Sequence, residues 1–373
     1  MSTFAVVTGG GTAGHVLPAL AVADALVTVG HAAGEVHYVG CTRGIETRLL
    51  PDTPYPHTFF DVVGFQRALT RRNLAFLPKL VRARRDARAL LRRLQPEVVV
   101  SVGGYASMPA VLAARSLGIP IVVVSYDFVP GRASQLSARS AAACAVAFEN
   151  SPLPNATVTG APVRHDLVTL DRTRDRANAR AHLGVPDERF LVAVMGGSLG
   201  SGVLNGAIAE YAGEHRDDAG LAIRQVAGER FVADVEEVHP IGDQGILHQV
   251  VGYESDMPAI YAAADLLIGR GGASTVHEVA TTGIAAILVP WADAADDHQT
   301  ENVRWLADAG GAVAMTEAEL AQPHHLADTI ERLRSDDEAR EALSTAAYAR
   351  GEIHRSGALA ELIEQVALAS SGR

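Results

Sequence analysis

The sequence predicts an α/β protein made of two domains, each built on a Rossmann-like, doubly wound parallel sheet. Its 373 residues exceed the size at which one hydrophobic core usually keeps growing. Short apolar runs alternate with helix-like segments in two successive series, as in parallel sheets covered by helices. Each series opens with a strand, a glycine-rich turn and a helix, so ligand-binding loops are expected at the carboxyl ends of the strands. Two such edges that face each other would form a cleft.

The elements follow in order. The first series has strand-like runs near 4–8, 36–39, 97–102, 120–125 and 143–148, with helices predicted over 15–28, 73–94 and 109–117. The second has strand-like runs near 190–195, 221–226, 246–251, 265–268, 285–289 and 312–315. Residues 149–188, rich in Pro, Asn, Asp and Arg, are interpreted as the connection. We therefore expect an N-terminal domain over 1–160, a C-terminal domain over 161–355, and a last helix over 356–373 that could return to the first domain.

The first glycine loop matches a dinucleotide fingerprint. Gly9, Gly11 and Gly14 have the G-x-G-x-x-G spacing between a strand and a helix. That interpretation also requires an acid at the end of the second strand, where this chain has Gly40-Cys41-Thr42-Arg43. Arg43 leaves NADP binding by a hydride-transfer enzyme as a second hypothesis.

His15 follows this loop in the first turn of its helix. A helix N-terminus disfavours imidazolium, so His15 is expected to be neutral near pH 7 and able to accept a proton as a general base. The alternative is a histidine that is hydrogen-bonded only for structure.

Residues 263–302 read as strand, glycine-rich turn, helix, strand and polar loop. Gly271 and Gly272 let the backbone approach a ligand, and Ser274-Thr275 opens a helix whose N–H groups favour phosphate. Glu278 then either meets sugar hydroxyls or closes a capping box with Thr275. Gln299 and Asn302 follow the next strand.

Cysteine content and hydropathy indicate the compartment. The chain has only Cys41 and Cys144, and no charged segment precedes the first apolar strand. No run of about 18 apolar residues predicts a membrane-spanning helix. We therefore expect a cytoplasmic protein.

Charge is distributed unevenly along the chain. The whole chain has a formal net charge of -11, yet the segment Phe65–Leu94 contains ten basic residues and one acid, interleaved with leucines and phenylalanines. Such a basic amphipathic helix beside an apolar loop is typical of a surface that lies on anionic lipid. The alternatives are a solvated helix face and, ranked last, a nucleic-acid surface.

Six motifs together resemble the MurG family over nearly the whole chain. They are Thr8-Gly-Gly-Gly-Thr-Ala-Gly-His15, Gly103-Gly-Tyr-Ala-Ser107, Gly160-Ala-Pro-Val-Arg164, Gly196-Gly-Ser198, Gly272-Ala-Ser-Thr-Val-His-Glu278 and Asp296-Asp-His-Gln299. The resemblance implies a GT-B glycosyltransferase of family 28, acting in peptidoglycan synthesis at the cytoplasmic face of the cell membrane. Such enzymes transfer N-acetylglucosamine, with inversion, from UDP-N-acetylglucosamine to the 4-hydroxyl of the muramoyl sugar of lipid I, giving lipid II. It also implies cell-wall and cell-division proteins as candidate partners.

The resemblance assigns roles to individual residues. His15 would be the base and Tyr105 would lie near the acceptor. Glu278 would hold the ribose hydroxyls, and Gln299 would reach the donor sugar. The remaining residues assigned to the donor, UDP-N-acetylglucosamine, are Thr12, Ala13, Gly14, Asp127, Arg164, Ser198, Glu254 with the backbone near Tyr253, Ala273, Ser274, Thr275, Val276 and His277. One neutral base and a cradle for the departing diphosphate suffice for this chemistry, so no metal or other cofactor is expected.

Two positions depart from the family pattern. Val124-Ser125-Tyr126-Asp127 stands where the family commonly has His-Glu-Gln-Asn, and Leu199 stands where it commonly has Gln. The first departure affects the acceptor side and puts an acid where the family's Asn contacts the donor. A transferase with another acceptor, a UDP-N-acetylglucosamine 2-epimerase and a non-catalytic cell-wall scaffold therefore remain as alternatives.

Overall fold

The structure is a computed structural model that has two compact units. It describes residues 2–62, 71–197, 200–240, 244–294 and 297–371. For residues 71–77 and 371 only the backbone is described. One unit comprises Met1–His165 with Ser356–Arg373, and the other comprises Asp166–Arg355. Each unit contains one parallel sheet with helices on it, so the predicted α/β class is confirmed.

The first unit has a seven-stranded sheet in the order β3-β2-β1-β4-β5-β6-β7. Its strands are β1 (Ala5–Thr8), β2 (Val36–Cys41), β3 (His57–Phe60), β4 (Val98–Ser101), β5 (Ile121–Ser125), β6 (Ala143–Val146) and β7 (Ala156–Val158). The helices between them are α1 (Ala13–Thr28), α2 (Glu46–Leu49), α3 (Arg71–Leu94), α4 (Met108–Leu117) and α5 (Arg132–Ala138). The central strands are wholly buried, as expected of a parallel sheet covered on both faces.

The second unit has a six-stranded sheet in the order β10-β9-β8-β11-β12-β13. Four short helices are α6 (His165–Val168), α9 (Met257–Ala263), α12 (Glu317–Leu320) and α15 (Glu352–Arg355), and the longer ones are α7 (Arg172–Leu183), α8 (Gly202–Glu214), α10 (Ala273–Thr282), α11 (His298–Ala307), α13 (His325–Ser335) and α14 (Asp337–Arg350). The strands are β8 (Phe190–Met195), β9 (Leu221–Val226), β10 (Leu247–Val251), β11 (Leu266–Arg270), β12 (Ala286–Val289) and β13 (Val313–Ala314).

The last helix, α16 (Ala358–Ser371), packs within the first unit. It contacts α1, β4 and β6, and it buries Ala360, Ile363 and Ala367. His31 Nε2 also lies 3.1 Å from Glu364 Oε1.

In both sheets the strand order reverses beside the first strand. β1 lies between β2 and β4, with Ala5 aligned with both Val36 and Val98. In the same way β8 lies between β9 and β11. Loops at the carboxyl ends of strands around such a reversal form the usual binding crevice of an open α/β sheet. The loop before α1 and the turn before α10 both occupy this position.

All eleven strand-like runs of the sequence are strands, whereas the edge strands β3 and β7 were not predicted. The three residues of β7 are exposed, and three of the four in β3 are only partly buried. Edge strands need no continuous apolar run, so the sequence gives little sign of them.

Residues 149–188, interpreted as a polar connection, contain a packed helix. Helix α7 is capped by Asp171, which accepts from the Arg174 N–H at 3.0 Å. Its Arg180 is fully buried and donates to Asp265 at 2.6 Å and to the Ala263 carbonyl at 3.1 Å. Arginines of this segment fasten α7 to α9 and to Asp265 directly before β11.

Candidate active site

The glycine loop of the first unit leads directly into α1. Thr12 is the N-cap residue, and its carbonyl accepts from the N–H groups of His15 at 3.0 Å and Val16 at 3.1 Å. Helix geometry leaves the N–H groups of Ala13 and Gly14 without an intrahelical acceptor. The predicted donor residues Thr12, Ala13 and Gly14 therefore lie at a helix start that is suited to an anion.

His15 has the protonation state that a general base needs. Its ring is half-buried, and its Nδ1 atom has no hydrogen-bond partner among the described residues. Burial lowers the pKa of His15, against the opposing effects of Asp127, the Val102 backbone and Glu46. The predicted neutral state is therefore supported, and desolvation by burial is the largest of these effects.

A cavity of about 200 Å³ adjoins His15. Asp127 follows β5 and lines this cavity. Its negative charge raises the pKa of the His15 imidazole, against the larger effect of burial. Val124 and Ser125, which replace the family's His and Glu, line the same cavity. The other lining residues are Val102, Gly104, Tyr126, Gly131, Arg132, Ala133 and Ser134.

Tyr105 packs beneath the glycine loop. Its hydroxyl lies 3.6 Å from Cys41 Sγ, and a Cβ atom at Gly11 would lie 2.7 Å from Tyr105 Cε1. Gly11 has a φ of +95°, so the loop requires glycine there for both conformation and space. These contacts favour the packing role for Tyr105, and its contact with an acceptor stays a hypothesis.

Glu46 is a residue of this site that the sequence did not reveal. It begins α2, is fully buried, and accepts from the Gly11 N–H at 3.1 Å and the Cys41 N–H at 2.9 Å. The available signal was an acid at the start of a helix soon after a strand, which is common in any α/β protein.

Arg164 lies half-buried in the segment after β7, at the end of the first unit. Its predicted contact with the donor diphosphate stays a prediction.

In the second unit, the turn before α10 presents backbone to solvent. Gly272 is the N-cap, and a Cβ atom there would meet nothing within 4 Å. Gly271 is different, because a Cβ atom there would lie 2.6 Å from Val303 Cγ2 and 2.8 Å from the Gln299 carbonyl. The glycine at 271 therefore allows close packing against α11, and its predicted approach to a ligand stays a prediction.

The first turn of α10 has N–H groups without an intrahelical acceptor at Ala273, Ser274 and Thr275 but not at Val276, and the binding of donor by the first three stays a prediction. The Val276 N–H instead donates to the Gly272 carbonyl at 3.0 Å. Val276 is also fully buried, so the prediction that its N–H meets a ligand is wrong.

Glu278 does not form a capping box. The N-cap of α10 is Gly272 and has no side-chain cap, so the interpretation that pairs Thr275 with Glu278 is wrong. Glu278 lies one turn into the helix on its partly exposed side, and its Oε2 accepts from the Tyr261 hydroxyl at 2.8 Å. This bond orients the carboxylate beside the helix start.

The side chain of His277 faces the core. It is fully buried, its Nδ1 lies 3.2 Å from His354 Nε2, and its ring meets Trp305 edge-on at 5.2 Å. Helical periodicity turns position 277 away from the partly exposed side that carries Ser274 and Glu278. The buried side chain of His277 is therefore not available to a donor, and the assignment of this position to the donor stays a prediction.

Two further predicted residues, Glu254 and Gln299, follow strands of this sheet. Glu254 accepts from Arg224 at 2.7 Å and from the Asp256 N–H at 3.0 Å, and the neighbouring Tyr253 is exposed. Gln299 Oε1 accepts from the Trp291 N–H at 3.0 Å. Ser198, predicted at the second glycine loop, and Leu199 lie outside the described residues.

Comparisons with known proteins agree with this geometry. The glycosyltransferase family 28 N-terminal domain matches residues 5–146, and the family 28 C-terminal domain matches residues 191–361. Two parallel α/β units that carry these domains define a glycosyltransferase of the GT-B type.

Relatives and solved structures narrow the class. The chain is 37% identical to the UDP-N-acetylglucosamine--N-acetylmuramyl-(pentapeptide) pyrophosphoryl-undecaprenol N-acetylglucosamine transferase of a Nocardioides strain, over 98% of each chain. It is 35% identical to the protein of that name from Shewanella loihica, over 97% of this chain and 94% of the other. The crystal structure of MurG from Acinetobacter baumannii is 27% identical with a TM-score of 0.69, and it covers 98% of this chain and 99% of its own. The chain belongs to the MurG family.

A solved UDP-GlcNAc 2-epimerase from Neisseria meningitidis has a similar fold. Its TM-score is 0.66 over 99% of this chain and 100% of its own, at 12% identity. At that identity the likeness concerns the fold alone.

Proposed function

We propose that this protein transfers N-acetylglucosamine from UDP-N-acetylglucosamine to the 4-hydroxyl of the muramoyl sugar of lipid I. The observation that supports the mechanism is the environment of His15. Its ring adjoins a cavity at the strand ends, its Nδ1 is buried without a partner among the described residues, and its burial lowers its pKa. A neutral imidazole in this place can take the proton of an attacking hydroxyl.

The proposed reaction is a displacement with inversion at the anomeric carbon. The acceptor oxygen forms a bond to that carbon while the bond to the diphosphate breaks, and His15 receives the hydroxyl proton. UDP leaves with the electron pair of the broken bond. The transition state resembles an oxocarbenium ion, so stabilising the leaving diphosphate is the main electrostatic task.

In the proposal, backbone N–H groups and a cation stabilise the leaving diphosphate. The helix starts at Ala13–Gly14 and at Ala273–Thr275 offer N–H groups, and Arg164 and Ser198 add a charge and a hydroxyl. Glu278, oriented by Tyr261, accepts from the ribose hydroxyls.

The remaining donor and acceptor contacts complete the proposal. The backbone near Tyr253 and Glu254 meets uracil, and Gln299 reaches the donor sugar from beside Trp291. Asp127 accepts from sugar hydroxyls in the cavity next to His15. Tyr105 belongs to the acceptor side.

The test is a transfer assay with labelled UDP-N-acetylglucosamine and a lipid I analogue. The proposal expects label in the lipid product and UDP release that depends on the acceptor. Formation of the 2-epimer without acceptor would instead establish the epimerase alternative. Donor binding by calorimetry without any turnover would establish a scaffold.

We also propose that the protein docks peripherally on the cytoplasmic face of the cell membrane through α3. Residues 65–70 of the predicted basic segment lie outside the described residues. Within α3, the described side chains divide into two faces: Ala83, Ala87, Leu90 and Leu91 enter the core, whereas Val81 is 61% exposed among exposed arginines. No helix in the described part of the chain is long and apolar enough to cross a membrane.

Vesicle sedimentation tests this docking. Each basic residue near an anionic surface contributes about 1 kcal/mol, so changing Arg82, Arg85 and Arg92 to Gln should weaken binding to phosphatidylglycerol-containing vesicles by about 100-fold or more. The matched control changes the exposed Arg304 and Arg332 of the second unit together with Arg139. Equal sedimentation of the two triple variants would mean that α3 is only a solvated helix face.

A further inference from the structure

A buried carboxylate lies beneath the glycine loop. Glu46 has 0% of its surface exposed, and among the described residues no other acidic side chain is so completely enclosed. A carboxylate removed from water is very costly unless hydrogen bonds replace its hydration. Hydrogen bonds must therefore compensate for the burial of the Glu46 carboxylate.

Backbone N–H groups from two loops replace that hydration. The Gly11 N–H lies 3.1 Å from Glu46 Oε1 and 3.2 Å from Oε2, and the Cys41 N–H lies 2.9 Å from Oε1. Hydrogen bonds to an ionised acceptor are about twice as strong as neutral ones. One carboxylate thus ties the loop after β1 to the end of β2.

Three glycines make room for the Glu46 side chain. A Cβ atom at Gly10 would lie 2.3 Å from Oε1, one at Gly40 would lie 2.9 Å from Cγ, and one at Gly44 would lie 1.9 Å from Oε2. A Cβ atom at any of these positions would require the Glu46 side chain to move. The glycines of this region therefore serve Glu46 as well as any ligand.

The Glu46 carboxylate acts on the first turn of α1 in two ways. Gly11 directly precedes the N-cap residue Thr12, so fixing its N–H fixes the path by which the chain enters the helix. Tyr105 holds Gly11 by close contact. The negative charge also favours the protonated form of His15, as does that of Asp127, and Arg132 lines the same cavity.

We propose that Glu46 is a positioning residue, which holds the loop Gly9–Gly14 so that His15 and the N–H groups of Ala13 and Gly14 face the reacting groups. It touches no substrate. The inference rests on the proposed transfer reaction, and it adds a residue to the machinery of that reaction.

The test compares Glu46→Gln with the wild type, because glutamine keeps the shape and one acceptor oxygen but loses the charge. Misplacing catalytic groups by about 1 Å costs up to about 100-fold in rate, so kcat should fall by about 10- to 100-fold, with UDP affinity of the wild-type order. Loss of the charge lowers the pKa of His15. The acid limb of the rate profile should therefore move to lower pH, a change that a purely structural role would not cause.

Glu35→Gln is the matched control, since Glu35 also accepts from a backbone N–H, that of Ala32 at 2.9 Å, but in an outer turn. It should behave as the wild type. A folded Glu46→Gln with wild-type kcat and an unmoved acid limb overturns the proposal. If Glu46→Gln does not fold, Glu46→Asp keeps the charge on a shorter stem, and wild-type kcat in that variant overturns the proposal as well.

Titration of His15 by NMR separates this inference from the transfer reaction itself. If the wild type makes no product, the proposed function fails. A lower His15 pKa in Glu46→Gln than in Glu35→Gln would still support the link between Glu46 and His15, and identical values would refute it.

Discussion

At the scale of the residue, the protonation state of His15 follows from where the fold puts it. Burial lowers its pKa more than Asp127, the Val102 backbone and Glu46 together raise it. The imidazole is therefore neutral near pH 7 and can accept a proton without first losing one. Its position after three glycines also leaves few competing side chains at the loop.

His15→Ala should lower kcat by about 10² to 10⁴, because it removes the base but none of the groups assigned to UDP. UDP affinity, measured by calorimetry, should stay nearly constant. His182→Ala is the control, since that side chain is 65% exposed on α7. A wild-type kcat in His15→Ala would remove His15 from the role of base.

Some residues of the candidate site could be predicted from the sequence and others could not. His15, Glu278 and the helix start at Ala273 stand in local patterns of glycine, strand and helix, which the sequence displays. Glu46 was missed because its partners, Gly11 and Cys41, come together only through the folding of β1 beside β2. The inward turn of His277 depended on a helix boundary that propensities do not locate to one residue.

At the scale of the element, α7 shows how a charged segment can belong to the core. Its Arg180 is fully buried and paired with Asp265, which also accepts from Arg176 at 2.5 Å. A polar composition suggests solvent exposure only when the charges have no partners in the fold. The Ala263 and Asp265 partners of Arg180 lie more than 80 residues away along the chain.

Arg180→Ala should destabilise the second unit by about 3 kcal/mol, because it removes one partner of a buried ion pair and leaves several carbonyls without a donor. The measurement is urea unfolding. Arg174→Ala, which removes an exposed pair with Asp175, should leave the free energy of unfolding almost unchanged, because solvent screens such pairs. Equal effects of the two variants would contradict the structural role of α7.

The contact between α10 and α15 predicts a pH dependence of stability. His354 lies 3.2 Å from His277, and burial, followed by His277, Arg355 and Arg350, lowers the pKa of His354 well below 6.5. As pH falls below about 6.5, the unfolded chain binds a proton here that the folded chain does not. Stability is therefore present above that pH and is lost as the pH falls.

His354→Gln should reduce this loss. Between about pH 7.5 and about pH 5.5, the Tm of the wild type should fall further than that of the variant, as measured by differential scanning calorimetry. His182→Gln should fall as far as the wild type. Parallel pH profiles for all three proteins would show that the buried pair is not the linked group.

At the scale of the whole molecule, the alternation of strands and helices was enough to predict two parallel sheets. It located eleven of the thirteen strands found in the described residues, because buried parallel strands are continuous apolar runs. It did not locate β3 and β7, whose edge positions demand no such pattern. The order of strands is a further property that local sequence does not encode.

The central claim is that His15 serves a transferase of the MurG family as its base. The most direct measurement is the initial rate at which labelled N-acetylglucosamine moves from its UDP donor to a lipid I analogue, for the wild type and for His15→Ala. The account predicts a labelled disaccharide lipid from the wild type and a rate lower by about 10² or more in the variant. Absence of that product from the wild type, or equal rates for the two proteins, would contradict it.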